Sequence, residues 1–570
     1  GVISGEVLDT GTLSNDGALT IMGSVSGAGA LVLGSGLADV RGSVGGQALS
    51  FVSPAAALRV RGLRGATTAT GFQAGNMIDL AGVATATLTD TAGGTVLTGG
   101  GGTVNLGIAP AGTAFKLFSD GNGGTEVLLP SAAVAVQTII AASVQDSGYS
   151  AGAASAGAAA LTALAGPSGT VATLSSPNGA FGAATPGIEN VAVATAPADG
   201  AVLTLPTGYR ALVAQGNGGV TLSDAGAAGA VLIGNGGTDS FQSTGTGVTL
   251  VGGQGTNTFG VQGSAKITTG DGTNTVVAGG NAAVSVTTGA GKATVVLAGG
   301  ASSVQANGQD TVFGGAGTAT VNVAKSAVAI GGAGLMTFVG GSATSVVFGG
   351  KGGLNFIGGA AFEIAVGTTG ALNARAGSGG GEFFGNAGGD FMQSGSGQTI
   401  MVLSAGGKAV STGSAGNYLV AGAGAAVLDG SAATGNDVFF GGTGQAAFLC
   451  GSGNDLIGTG SGASTVKLGS GSTTVFAFGS STVTAGSGSA TVVMGGTVTL
   501  NIAAGAARNF ALFNFVPGTD KIALSGYDSS TIGNAIANQS NGGGQTVLTL
   551  SDNTQLQLIG VARADAGFFG

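Results

Sequence analysis

The chain of 570 residues carries 120 glycines, 16 basic and 25 acidic side chains, no histidine and one cysteine, for a formal net charge of −9. Glycine without a Gly-X-Y period and with only nine prolines excludes collagen, and 43% hydrophobic against 7% charged residues excludes a charged disordered chain, which leaves a turn-dense β protein able to bury a core. The acidic balance argues against nucleic acid as a partner, and the absence of histidine removes Ser-His-Asp and Cys-His catalysis and the zinc-protease helix, so no enzyme is expected.

The chain starts at Gly1 without Met or a basic leader, which fits either a processed start or no leader. Residues 1–129 read as a β-rich region, in which "GALTIMGSVSGAGALVLGSG" resembles irregular β-helix rungs and "FKLFSDGNGGTEVLL" a hairpin with a Gly-rich turn. Four of the basic residues, Arg41, Arg59, Arg61 and Arg64, fall within 24 positions of this region, and Arg59 and Arg61 share a strand face. They are either a solvated face or a contact for an anionic polysaccharide or lipopolysaccharide.

Residues 130–195 are rich in Ala, Ser and Gly and read as a linker or irregular bridge, with "SAGAAALTALAG" a short helix. The apolar run "AAVAVQTIIAASV" at 132–144 is too short to span a bilayer, so the chain is not expected to cross a membrane.

From 196 to 500 glycine acquires a period. Gly331-Gly332, Gly340-Gly341, Gly349-Gly350 and Gly358-Gly359 follow at nine residues, as do Gly453, Gly462 and Gly471. Asp239 and Phe241 stand eighteen residues before Asn257 and Phe259, and Asp437 and Phe439 eighteen before Asp455 and Ile457. A nine-residue unit of turn residues plus a three-residue strand is half a coil, so two units make one turn of a right-handed parallel β-solenoid, an all-β fold. Glycine is expected to supply left-handed turn conformations. Phe241, Phe259, Phe439 and Ile457 should stack in ladders inside it. Residues 501–570 lose the period and read as a C-terminal cap.

The phrases "CGSGNDLIG", "GNAGGDFMQ" and "GNGGTDSFQ" resemble the Gly-Gly-x-Gly-x-Asp-x-U-x nonapeptide, with U large and apolar, of the calcium-binding β-roll in repeats-in-toxin proteins exported by type I secretion. The terminal "ADAGFFG" is similar to the uncleaved signals of that route. The resemblance implies calcium between successive coils, bound by Asp437 and Asp455 with the carbonyls of Gly435 and Gly453, and a weaker site at Asp239 and Asn257. The alternative for these residues is an Asx turn that serves its own backbone. Most repeats place Ala446, Ser464 or Thr473 where the family has Asp, so few sites are expected. Lys408, eighteen residues after Asp390, is expected to put an ammonium where the metal would be. Cys450 reads as a small buried hydrophobe.

These features, with the likeness to bacterial surface-layer proteins that carry β-rolls, point to an extracellular, cell-surface structural protein that polymerises with itself into a layer or filament. Homotypic contacts are expected from the N-terminal region and from 501–570. A secreted adhesin or glycan-binding solenoid is the alternative, disfavoured by four Tyr and no Trp. An ice-binding face would need regular Thr-x-Thr rows, which are sporadic.

Overall fold

A computed structural model describes the chain apart from residues 35, 54–55, 74–75, 110–114, 120–122, 129–133, 136–138, 140–148, 167–169, 177–178, 180, 182–183, 185–187 and 196. The apolar run at 132–144 thus lies largely outside the described residues. With 51% strand and 6% helix, stacked parallel strands form a β-solenoid of about 26 turns, the all-β class that the nine-residue unit predicts. The chain divides into two compact units, Gly1–Val295 and Val296–Gly570.

In the first unit, short strands at Val2–Ile3, Leu19–Ile21 and Gly36–Gly45 pair in parallel and lead to the long strand Ala56–Thr70. Lys116–Ser119 and Thr125–Leu128 pair antiparallel, as the Gly-rich turn between them predicts. The Ala-rich stretch forms an α-helix, Ala151–Ala165, opened by the Ser150 side chain, which accepts the Ala153 N–H, and closed at Gly166 with φ of 59°. Its buried stripe of Ala153, Gly157, Leu161 and Ala165 recurs every fourth residue, the spacing of one helix face. Small side chains let this face lie close on Val193, Val213, Ile233 and Val251, outward-pointing residues of four successive parallel strands.

Those strands correct the expected boundary at 196. Thr170–Ser176 and Asn190–Ala194 already belong to the parallel sheet. Val191 pairs with Ala211 and Ala211 with Val231, steps of 20 residues rather than 18. Longer turns carry the extra residues, so the eighteen-residue period was silent there.

The second unit has two parallel sheets, each made of every other strand. Sheet I runs from Ser302–Ala306, Ala319–Val323 and Met336–Val339 to Lys521–Ser525; sheet II runs from Gln309–Phe313, Ser326–Ile330 and Val346–Phe348 to Gln555–Ile559. Inward side chains stack in register. Phe439 lies over Ile457, and Phe338 and Phe356 stack at 5.7 Å. In the first unit Phe241 and Phe259 stack at 4.5 Å, and all four of the predicted ladder residues are fully buried.

The glycine pairs work differently from expectation. Neither Gly350 nor Gly453 has a positive φ. A Cβ on Gly350 would be driven into the carbonyl oxygen of Gly332 in the preceding coil, and one on Gly453 into that of Gly435. Glycine is required because the turns stack backbone on backbone.

Past residue 501 the stack continues, with Leu500 paired to Ile522 and Phe513 to Ile559. It then reverses. After the helix Ser529–Ala537, the strand Gln545–Thr549 runs antiparallel to Gln555–Ile559 and covers the last strand of sheet II. On sheet I, Ile522 bridges to Phe569 and its carbonyl accepts the Gly570 N–H at 3.2 Å, while Phe568 packs on Phe515. The expectation of homotypic contacts through 501–570 therefore loses its template at this end, because the chain pairs its own last strands.

Candidate functional site

A strand that points its large apolar residue inward also points inward the residue two positions before it. The polar residues that open the strands of sheet II therefore stand in a column inside the coil. Glu363, Thr399, Asn417, Asp437, Asp455 and Thr473 are each at most 4% exposed. Four of them, Thr399, Asn417, Asp437 and Asp455, are linked from coil to coil. The Thr399 N–H donates to Asn417 Oδ1 at 2.8 Å, the Asn417 N–H to Asp437 Oδ1 at 2.8 Å, and the Asp437 N–H to Asp455 Oδ1 at 2.9 Å.

Asp437 and Asp455 are thus brought together, one directly above the other. Their second oxygens, both Oδ2, are buried without a hydrogen-bond partner. The Ser411 hydroxyl faces Asp437, and the Gly451 N–H and Cys450 thiol face Asp455, without closing a bond of good geometry to either Oδ2. Burial raises Asp455 to about 6, and the neighbouring Asp437 charge adds to this; burial raises Asp437 too. Cys450, 6% exposed, has its thiol pushed far up by burial and then by both carboxylates, which keeps it protonated and unreactive.

Calcium takes about six to eight oxygen ligands. The two orphaned oxygens fit a cation, since each buried carboxylate lacks a counter-charge. The carbonyls of Gly435 and Gly453 are directed at the next coil's turn, as the steric contacts at Gly453 and Gly471 show, so the ligand set implied for them is not assembled here. Among the described residues no three of His, Cys, Asp and Glu converge as a metal cluster.

Asp239 and Asn257 pair in register and offer less to a cation, because both Asp239 oxygens are taken and only the neutral Asn257 Oδ1 is buried without a partner. Asp239 accepts the Val220 N–H at 3.1 Å with one oxygen and the Asn235 N–H at 2.7 Å with the other. Asn257 turns its amide nitrogen to the carbonyls of Gly253, Gly255 and Thr269 and to Asn274 Oδ1. Neither side chain closes an Asx turn: Asp239 accepts from the preceding coil and from four residues back, and Asn257 donates through its nitrogen.

Lys408 does not replace a metal at Asp390. Asp390 pairs with Gly407, a step of 17, so Lys408 is offset by one residue and points outward. There its Nζ lies 2.9 Å from Asp429 Oδ2. Asp390 stays inside and accepts the N–H groups of Leu372 and Ala387 at 2.7 and 2.9 Å.

In the first unit, register places Arg59 between Asp39 and Asp79, and Arg59 Nε lies 3.1 Å from Asp79 Oδ2. Arg41 pairs with Asp39 at 3.3 Å. Arg61 and Arg64 are exposed and form no ion pair among the described residues. An anion contact therefore has two candidate arginines instead of four.

Glu363 escaped the sequence reading. It is fully buried; Oε2 accepts the Gly359 N–H at 2.7 Å, and burial raises the group to about 7. It lies outside any Gly-x-Asp phrase, yet it stands eighteen residues before Gly381, the strand opener it pairs with, and counting from strand openers would have found it.

No protein-family model, curated protein or solved structure matches the chain.

Proposed function

We propose that the chain is an extracellular structural protein that assembles with itself into a surface layer or filament, with a few calcium ions held between coils at Asp437 and Asp455. The observation that carries this reading is the direction of the acids that open the solenoid's strands. Asp239, Glu363, Asp390, Asp437 and Asp455 all point into the coil and accept backbone N–H groups, so they serve the scaffold and display nothing to a substrate. Calcium, when bound, would supply the positive charge that the stacked carboxylates of Asp437 and Asp455 lack. Asp437 and Asp455 each keep one oxygen on the neighbouring coil and offer the other.

Electron microscopy and light scattering of the purified chain, with millimolar calcium or with EDTA, test the proposal. Ordered assemblies that tighten with calcium are the expected result. A protein that stays monomeric at high concentration in millimolar calcium overturns it. Exposed Arg61 and Arg64 support the second reading, a glycan-binding module; retention on an anionic polysaccharide that is lost in Arg61→Ala/Arg64→Ala would then replace the first.

A further inference from the structure

The two outer faces of the second unit differ in kind. From Gln309–Phe313 to Asn509–Phe513, sheet II has twelve strands with two outward positions each, 24 in all, and nineteen of these are apolar. The corresponding twelve strands of sheet I, Ser302–Ala306 to Thr497–Ala503, have seven apolar residues at 24 outward positions and four charges, Arg375, Lys408, Asp429 and Lys467.

On sheet II one outward column is unbroken except at Gly458, and Phe313, Phe348, Phe384, Phe440, Phe476 and Phe513 stand in it. Phe313, Phe348, Phe440, Phe476 and Phe513 are 36–45% exposed. Glu382 is the one charge among the 24 positions.

Twelve strands at ~4.8 Å and two side chains of ~7 Å each give a face of about 55 by 14 Å, or about 750 Å². Apolar patches beyond a few hundred Å² on a folded chain mark interaction sites.

We infer that the outer face of sheet II is the surface through which two copies of this chain pack laterally, sheet against sheet. The inference rests on the self-assembly reading and supplies its contact. Three observations favour a second copy. The area is close to the ~800 Å² that each partner gives to a stable interface. The face is nearly uncharged, so it can oppose itself about a two-fold axis without like charges meeting, as an isologous contact requires. A basic, acidic or anionic-lipid partner would find no complementary charge on it. The end-on route, meanwhile, is closed at the C-terminal edge by the antiparallel strand Gln545–Thr549. Two such faces would meet at ~10 Å, as the layers of a β-sandwich do, with the phenylalanine columns interdigitating.

The test compares the full-length chain with three variants by sedimentation over a range of concentrations. Phe440→Glu/Phe476→Glu puts charge in the face. Val402→Thr/Val420→Thr is a nearly isosteric polar change that spares the fold if the first variant does not. Asn373→Glu/Thr465→Glu places charge on sheet I as a control. The unaltered chain and the control are expected to associate alike, while the charged sheet II variant weakens association by about thirtyfold or more and the threonine variant by less, with strand content by circular dichroism unchanged. Unimpaired assembly by folded sheet II variants overturns this surface and leaves the self-assembly reading standing. A monomeric unaltered chain overturns both.

Discussion

The turn at 385–393 and the turns at 430–458 each bury aspartate at a strand opening, and they treat it in opposite ways. Asp390 has no acid opposite it on either neighbouring coil, and both its oxygens accept backbone N–H groups, one from the coil behind and one from its own turn. Asp437 and Asp455 stand on consecutive coils, each with one oxygen latched and one orphaned. The same residue is thus a finished structural latch in one place and half of an uncompensated charge pair in the other. What separates them is the second oxygen: the Asp390 turn supplies it an N–H from Ala387, whereas at Asp437 and Asp455 it is left without one.

The comparison breaks most visibly by deleting the finished latch. Asp390→Ala strands the buried N–H groups of Leu372 and Ala387, a loss of about 2–5 kcal/mol in denaturant unfolding. Asp455→Asn keeps an acceptor for the Asp437 N–H and removes a like charge, so in EDTA at neutral pH it should equal or exceed the parent in stability. If both substitutions cost the same, the orphaned pair is no liability.

Calcium sharpens the contrast next. Millimolar calcium should slow amide exchange across 417–458 by about tenfold and leave 385–393 unchanged, since of these two regions the first has unfilled carboxylate oxygens and Asp390 has none. Asp455→Asn should abolish the response. Equal protection of both regions would mean that the ion acts elsewhere.

Protons give the smallest effect. Asp455 is raised from 3.8 to about 6 and Glu363 from 4.5 to about 7, so between these limits the folded chain holds protons that the unfolded chain has released. That contribution to stability is complete below pH 4 and is lost as pH rises through 6 and 7. Asp552 opposes it at the acid end. Although partly desolvated, it is held at about 2 by hydrogen bonds from Tyr527, Thr554 and Gly505, and its share is lost only below pH 4. Urea midpoints should therefore peak near pH 4–5 and decline towards 7.5, and Glu363→Gln should flatten the upper part of the decline. A midpoint that rises from pH 5 to 7 would contradict the burial of these groups.

How much of this the sequence disclosed follows from what a period can encode. The eighteen-residue step placed Phe241 over Phe259 and Asp437 over Asp455, because where coils are equal in length, spacing is register. It failed where coils are unequal. The step of 17 at Asp390 sent Lys408 to the other face, and the steps of 20 from Val191 to Val231 hid the early coils. The glycine pattern was seen but its cause was misread, since stacking distance leaves no trace in a single turn. The apolar outer face of sheet II was also invisible: in a strand such as "VFF", Val438 to Phe440, apolar residues point both ways, and only alignment of a dozen coils shows that one side is unbroken.

The antiparallel strand Gln545–Thr549 has a consequence in time. Synthesis delivers the coils in order, and each newly made one offers an open strand edge until the next arrives. The hairpin that shuts this edge, Gln545–Thr549 with Gln555–Ile559, follows all the earlier coils, so a nascent chain carries an adhesive end through nearly all of its production. A ribosome that stalls near residue 500 would release a molecule that can recruit its own kind at that end, and clearance of such fragments would matter to a cell as much as the yield of finished chains.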